Sequence, residues 1–268
     1  FPEADAGGPR ASAYDWIDAL QPILASEPFR DVKRVDEAVR ARHGALKNLL
    51  SGVTTVAHHD PWLAEMGDPS FPVRVVHHYG WCHSLRFAGK YGPTVKEALA
   101  ATPPGARFFI HLAEGTDAEA AGELARLDRL GGLGPATVLV HGVGLGEAGV
   151  ARVIERGAAV VWCPASNLRV LGATLDPRPL LAAGRLALGS DSRLSGLRDL
   201  LAELSVAREC AGLAAAELLR LVTTDAAAVL GQPESGHLAR GALADLVVAR
   251  DAGGDPAEAL TGLPRARL

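Results

Sequence analysis

Residues 108–115 of the chain read Phe-Phe-Ile-His-Leu-Ala-Glu-Gly. The first five of these residues, 108–112, form a short and continuous apolar run, which is typical of a strand buried on both faces of a parallel sheet. It ends in polar side chains, because His111 and Glu114 stand where the strand would pass into a loop. The stretch therefore predicts a buried strand that delivers a histidine and a carboxylate to one edge of a sheet.

Similar apolar runs lie on both sides of this stretch, and amphipathic stretches of helical length separate them. An alternation of strand and helix predicts an α/β fold with a parallel sheet and right-handed crossovers. Asp117 is suited to cap the helix that follows the first run. The other strand candidates are 53–57, 73–79, 137–141, 158–162 and 186–189, and the helix candidates are 31–50, 118–130, 147–156, 197–211 and 214–230.

Within the α/β class, length and strand count favour a (β/α)8 barrel of the TIM type. No Gly-x-Gly-x-x-Gly follows a predicted strand, so a doubly wound dinucleotide-binding sheet is less favoured. The six recognisable strands are two fewer than a full ring of eight requires.

Composition excludes several classes of protein. The 268 residues carry 27 basic and 31 acidic side chains, and this balance of −4 argues against a nucleic-acid surface. The sequence contains no run of about 18 apolar residues, the length that a membrane-spanning helix requires. Cys82, Cys163 and Cys210 are too few and too far apart for a disulfide framework. We therefore expect a cytoplasmic protein that acts on a small molecule, without a nucleic-acid or membrane partner.

Polar residues follow most of the predicted strands, and every histidine except His43 and His237 lies at or near such a position. In a barrel of this kind the chemistry lies at the carboxyl ends of the strands. A neutral His111 is a good ligand for zinc or iron, and Glu114 could carry protons for the attacking water. The structural alternative is a hydrogen-bonded buried histidine and a helix-capping glutamate, and the pair alone does not decide between them.

Three more polar residues follow the later strands. His141 could polarise a carbonyl, Asn167 could orient a loop or touch the substrate, and Asp191 could ligate a metal. Each has a structural alternative: a buried histidine, a turn residue and a helix-capping aspartate, respectively.

The order of these segments along the chain resembles the amidohydrolase superfamily. Within it, the resemblance is to the branch of cytosine deaminases, adenosylhomocysteine deaminases and triazine chlorohydrolases. Each matching segment is weak alone, but the ordered set is specific and spans most of the chain. The segments are Ser51-Gly-Val-Thr-Thr-Val, Ile110-His-Leu-Ala-Glu-Gly, Val140-His, Val161-Trp-Cys-Pro-Ala-Ser-Asn-Leu, Leu188-Gly-Ser-Asp-Ser and Gly241-Ala-Leu-Ala-Asp-Leu-Val-Val.

The resemblance implies a barrel with one divalent metal ion, zinc first and iron as the alternative. It implies that His111 and Asp191 are metal ligands from the family's fifth and eighth strands. Glu114 would be the proton shuttle, and His141 would contact the activated water or the substrate. Asn167 would lie in the substrate-contacting Pro-x-Ser-Asn loop. The resemblance also implies a homo-oligomer.

The sequence departs from the family pattern at one place. The family's first strand ends in His-x-His, which supplies two ligands, and no His-x-His occurs here. His58-His59 follows the second-strand segment and is a poor substitute. We therefore expect a barrel that lacks its first strand over residues 1–235, and a partial β-sandwich segment with a weakly ordered tail over residues 236–268.

These observations favour a metal-dependent hydrolase that acts on C–N bonds, other than peptide bonds, of a small cyclic or heteroaromatic compound. Deamination is the preferred reaction, catalysed by Glu114, His141 and Asp191. Removal of chloride and hydrolysis of an amide use the same groups and stay open. The alternative of another class is a catalytically incomplete barrel that lacks the metal, because the His-x-His ligands are missing, and serves as a binding or interaction module. A phosphate-binding barrel ranks last, because no glycine-rich phosphate loop is evident.

Overall fold

A computed structural model describes residues 1–58, 61–249 and 253–262 of the chain. Its strands form a two-stranded and a five-stranded sheet, and every pairing between them is parallel. The strands are β1 Thr55–Val56, β2 Arg74–Val75, β3 Gly80–Ser84, β4 Phe108–Leu112, β5 Thr137–His141, β6 Ala159–Trp162 and β7 Leu186–Leu188.

The larger sheet has the order β3-β4-β5-β6-β7, so each strand pairs with its neighbour along the chain. Consecutive parallel strands joined by helices are the repeating unit of a TIM-type barrel. The predicted α/β barrel class is confirmed. Because the five strands are parallel, their carboxyl ends all lie on the same side of the sheet. In the part of the chain that the structure describes, β3 and β7 are the outermost strands of this sheet.

Twelve α-helices occupy the described residues: three precede β1, five lie between β3 and β7, and four follow β7. Asp117 caps α5 by accepting from the Ala120 amide at 2.8 Å, as the sequence predicted. The helices are α1 Ala13–Leu24, α2 Phe29–Arg34, α3 Glu37–Leu49, α4 Val95–Ala101, α5 Ala118–Arg129, α6 Gly146–Glu155, α7 Pro164–Leu171, α8 Arg178–Ala182, α9 Leu200–Ala211, α10 Ala215–Leu221, α11 Thr224–Leu230 and α12 Pro256–Thr261.

Successive residues of a strand lie on opposite faces of the sheet, and this alternation determines the face on which His111 lies. On β4, Ile110 and Leu112 are fully buried in the large core between sheet and helices. Phe109 belongs to the opposite face, where it packs with Val138 and Ala187. Side chains two residues apart on a strand share a face. His111 therefore follows Phe109 toward the inside of the barrel.

Two predicted helices are interrupted for local reasons. The stretch 31–50 breaks because Asp36 is extended and accepts from the Ala38 and Val39 amides, which starts α3 as a new helix. The stretch 214–230 divides at Thr223, whose φ of −127° and ψ of −101° are not helical.

The C-terminal segment differs from its expectation. The sequence predicted a strand after residue 236, but residues 243–249 form no strand in the described chain. The described end of the tail is instead helical, because Asp255 caps α12 and Pro256 occupies its first turn. An ion pair of 2.8 Å between Arg208 and Glu258 joins α12 to α9. Residues 250–252 and 263–268 lie outside the described part, and the division at residue 235 stays a prediction.

Over the described residues, no helix has the length and apolar character needed to cross a membrane.

Candidate metal centre

The carboxyl ends of β4, β5 and β7 bring three predicted site residues together. His111 is the fourth residue of β4, His141 ends β5, and Asp191 follows β7 by three residues. One ligand atom from each of these side chains lies within 4.8 Å of the other two. A set of two imidazoles and one carboxylate converging in this way can hold a divalent metal.

Each histidine of the cluster is oriented by a second group. The Nδ1 atom of His111 lies 3.0 Å from the backbone oxygen of His83. The Nδ1 atom of His141 lies 2.9 Å from the side-chain oxygen of Asn167. Because both oxygens only accept hydrogen bonds, Nδ1 carries the proton in each ring, and Nε2 has the lone pair that a metal needs.

Asp191 is held by two hydroxyl groups. Its Oδ2 atom accepts hydrogen bonds from Ser166 and, at 2.8 Å, from Ser195. Asp191 has a φ of 53° and His141 a φ of 78°, and such left-handed conformations are uncommon for residues other than glycine. Strain of this kind persists where surrounding contacts over-determine the backbone, and it concentrates at functional sites.

Glu114 lies beside the cluster, with its Oε1 atom 3.4 Å from Nε2 of His141. The pKa of Glu114 is raised to about 7, chiefly by burial; His141 opposes the rise, and the neighbouring carboxylates Asp191 and Glu123 add to it. Burial lowers the pKa of His141, but Glu114 and Asp191 outweigh it and the net pKa is raised. A carboxyl that titrates near neutrality can both accept and release a proton at working pH.

Two buried glutamates support the loops of the site, and sequence analysis missed them. Glu123 on α5 accepts from the Ala113 amide at 2.6 Å and from the Tyr14 hydroxyl at 2.5 Å. Glu203 on α9 accepts from the Ala165 amide at 2.8 Å. Each lies on the buried face of its helix. A glutamate at a position where the helical pattern calls for an apolar residue was therefore the feature that could have identified it from the sequence.

Ser166 and Ser195 were also missed as partners of Asp191. Neither serine stands out in the sequence, because serines near strand ends are common in loops. The segment 163–167 was expected to be a loop, but Pro164 starts α7 and places Ser166 and Asn167 in its first turn.

The cluster opens into a cavity of about 1330 Å³. Glu114 and the three clustered side chains line it, together with the aromatic rings of His83 and Tyr91. The His83 ring centroid lies 5.2 Å from that of His111 and 5.6 Å from that of Tyr91. A flat ring bound beside the cluster would therefore meet aromatic faces.

The donor set fits zinc or iron. A catalytic zinc usually has three protein ligands and one open position, and His111, His141 and Asp191 supply that number. All five residues selected from the sequence lie in this one place, since Glu114 and Asn167 both contact His141. Their individual roles stay predictions. His59 lies outside the described residues.

Curated relatives of the chain are deaminases. It is 36% identical over 135 residues to the 5'-deoxyadenosine deaminase of Methanoregula boonei, a match that covers 46% of this chain and 30% of that protein. It is 32% identical over 158 residues to the 8-oxoguanine deaminase of Pseudomonas aeruginosa, covering 53% of this chain and 35% of that protein. The matched segments thus span about a third of the relatives' lengths.

Solved structures of similar fold include a mutant atrazine chlorohydrolase from Arthrobacter aurescens complexed with zinc and atraton. Its TM-score is 0.70 at 20% identity, over 96% of this chain and 76% of that one. An adenosine deaminase from Xanthomonas campestris with bound zinc has a TM-score of 0.61 at 21% identity, over 85% of this chain and 64% of that one. At this level of identity the likeness shows the fold.

The family model described as the amidohydrolase family matches residues 83–267, which include the end of β3, all of β4 to β7 and every residue of the candidate centre. The chain therefore belongs to the amidohydrolase family.

Proposed function

We propose that this chain is a metal-dependent hydrolase that removes an amino group from a small heteroaromatic compound. The observation that carries the proposal is the convergence of His111, His141 and Asp191 within 4.8 Å, with the carboxyl of Glu114 beside them. The names of the curated relatives support deamination over removal of chloride, since each relative compared above is a deaminase.

The residues of the centre divide the work of the reaction. His111, His141 and Asp191 would hold a divalent ion, zinc or iron, and Nε2 of His141 also lies 3.4 Å from Oε1 of Glu114. When bound, the ion supplies Lewis-acid activation of water.

Glu114 is placed to move the protons. It would accept one proton from the attacking water and deliver it to the ring nitrogen. The second proton of that water would pass through Glu114 to the amine, and ammonia leaves as the C–N bond breaks and the C=O bond forms. Through the ion that it would help to hold, His141 would contribute to stabilising the charge that develops on the substrate, and Asn167 would hold the His141 ring in position.

Aromatic side chains support a ring-shaped substrate. His83 and Tyr91 line the cavity next to His111, and the half-buried His83 ring also packs edge to face on Phe87 at 5.5 Å between centroids. Stacking on such rings stabilises a flat heteroaromatic ligand without requiring a charge.

The alternative function, a barrel that binds without catalysis, is less well supported. Family membership and the converging donors favour the enzyme. We further propose a homo-oligomer in the cytoplasm. Cys82 and Cys163 are buried and unpaired, which suits a reducing compartment.

The test is release of ammonia by the zinc-loaded or iron-loaded chain, supplied with a panel of aminopurines, aminopyrimidines and amino-triazines. Glu114→Gln keeps the size of the side chain but removes its proton transfer, so we expect a loss of about 10²- to 10⁴-fold in kcat with metal content unchanged.

The matched control is Glu119→Gln, which changes an exposed glutamate in the first turn of α5. This variant should keep full activity. Equal activity of Glu114→Gln and the wild type would contradict the assigned role of Glu114.

A further inference from the structure

Helix α1 begins beside the loop that follows β4 and carries Glu114. The Ala13 amide donates to the Glu114 backbone oxygen at 2.9 Å, and the Thr116 amide donates to the Ala11 oxygen at 2.7 Å. Ser12 forms an antiparallel bridge with Gly115. The start of α1 is thus fixed, by backbone bonds, to the loop that carries the proposed proton shuttle.

From that point one face of α1 runs along the cavity. The helix has 12 residues, a length of about 18 Å. Trp16, Ile17, Leu20 and Leu24 line the cavity, and their spacing of one, three and four residues places them on a single face. We call these four side chains the α1 wall.

The α1 wall is apolar and backed by a core of its own. Trp16 and Leu20 are buried among Phe29 and Val170, and Ile17 and Leu24 pack against the same cluster while part of each stays accessible. Leu194, three residues after Asp191, continues this surface inside the cavity.

The four side chains of the α1 wall favour an apolar group. Burying a hydroxyl or an anion there would cost free energy, because aliphatic and indole carbons offer it no hydrogen bond. Gln21, a polar residue of α1 that also lines the cavity, donates its Nε2 hydrogen to the Ile17 backbone oxygen at 3.0 Å. The carboxylates Glu114 and Asp191 at the inner end of the cavity would also repel an anionic group.

We propose that the α1 wall determines the specificity of the site by accepting an uncharged, apolar substituent of the substrate. The inference rests on the proposed function for the position of the reacting ring, which places one end of the substrate at Glu114. The rest of a substrate longer than one ring then extends along α1.

The proposal is tested with the zinc-loaded full chain and three nucleosides: adenosine, 5'-deoxyadenosine and 5'-methylthioadenosine. They differ only at the 5' carbon of the ribose, which carries a hydroxyl group, a hydrogen atom and a methylthio group, respectively. Dissociation constants from calorimetry measure binding, and ammonia release measures turnover separately. Each added apolar carbon contributes about four-fold in affinity, so we expect 5'-methylthioadenosine to bind about 10-fold more tightly than adenosine.

Ile17→Asn places an amide in the wall and should reduce this preference to about two-fold or less. Leu24→Asn, in the last turn of α1, is a second variant should the first fail to fold. Asp18→Asn, which changes an exposed residue on the outer side of the helix, is the matched control and should keep the preference.

A preference that is lost in either wall variant and kept in the control supports the proposal, whether or not the probes are turned over. Absence of the preference in the wild type, or its persistence in both wall variants, overturns it. Binding without release of ammonia would count against deamination of these compounds while leaving the specificity of the wall established.

Discussion

His141 is held in place by a chain of polar side chains. Its Nδ1 atom donates to Asn167, and the Asn167 amide donates to the Thr174 hydroxyl at 3.2 Å. The same hydroxyl accepts from the Trp162 indole at 2.7 Å. Because Asn167 is fixed at both ends, it sets the rotation of the His141 ring and the direction of Nε2.

Asn167→Ala removes the acceptor for His141 and leaves the ring free to rotate. We expect the affinity for zinc to fall about 10- to 100-fold, the usual effect of removing a group that orients a ligand. A competition titration with a zinc chelator measures the change. Asn48→Ala, at another asparagine of the cavity, is the control. Equal zinc affinities in Asn167→Ala and the wild type would show that Asn167 does not orient a ligand.

Glu203 makes the stability of the protein depend on pH. Burial raises its pKa to about 7, above the ordinary glutamate value of 4.5. The folded state therefore holds this proton more tightly than the unfolded state, and the contribution to stability is present below pH 4.5 and lost as pH rises through about 7. One pKa unit corresponds to about 1.4 kcal/mol.

Glu203→Gln should flatten this dependence, since glutamine does not titrate. Relative to the variant, the wild type should lose on the order of 1–3 kcal/mol of unfolding free energy between pH 5 and pH 8. Urea unfolding in the presence of a chelator measures it, with the exposed Glu209→Gln on the same helix as control. Parallel pH profiles for Glu203→Gln and the wild type would refute a raised pKa.

The donors of the site could be identified from the sequence, but their supports, apart from Asn167, could not. His111, Glu114 and Asp191 follow apolar runs, so their position at one sheet edge follows from parallel strands. Ser166, Ser195 and Glu123 reach the site from neighbouring helices and loops. Which of many serines and glutamates does so depends on helix packing, and no local pattern in the sequence encodes that.

Among the elements, α1 links the N-terminal segment to the site. Tyr14 in its first turn donates to the buried Glu123, and the Tyr14 ring packs edge to face on Phe87 with 5.2 Å between centroids. The Arg86 guanidinium lies 5.0 Å from the Tyr14 ring centroid. Glu123 in turn holds the Ala113 amide next to Glu114.

Tyr14→Phe keeps the ring and removes the hydroxyl, so one oxygen of the buried Glu123 loses its hydrogen bond. Leaving a buried acceptor unsatisfied costs about 1–3 kcal/mol, more for a charged group, and we expect a loss of unfolding free energy of that size. Chemical denaturation at pH 8 gives the value. An unchanged unfolding free energy would mean that this bond does not anchor α1.

Prediction of the elements succeeded where a pattern was local and strong. The bounds of β4 and β5 are those of their apolar runs, because both strands are buried on two faces. The run 73–79 yields only the two residues of β2. Helix α1 was missed because Pro22 lies inside it, and α7 because Pro164 is as compatible with a turn as with a first helical residue.

At the scale of the whole molecule, the strand order explains why residues 80 positions apart meet. His111 and Asp191 come from β4 and the loop after β7, and the parallel order β4-β5-β6-β7 curves their carboxyl ends toward a common interior. A barrel interior thereby converts a linear series of strand ends into one site. The central claim is that this site holds a divalent metal.

Metal analysis of the purified chain tests that claim most directly. Zinc and iron are counted per chain by mass spectrometry for the wild type, His111→Ala, Asp191→Ala and His43→Ala, the last at an exposed histidine on α3. We predict about one divalent ion per chain in the wild type and in His43→Ala, and close to none in the other two. A wild type without metal, or full metal content in His111→Ala and Asp191→Ala, would contradict the account.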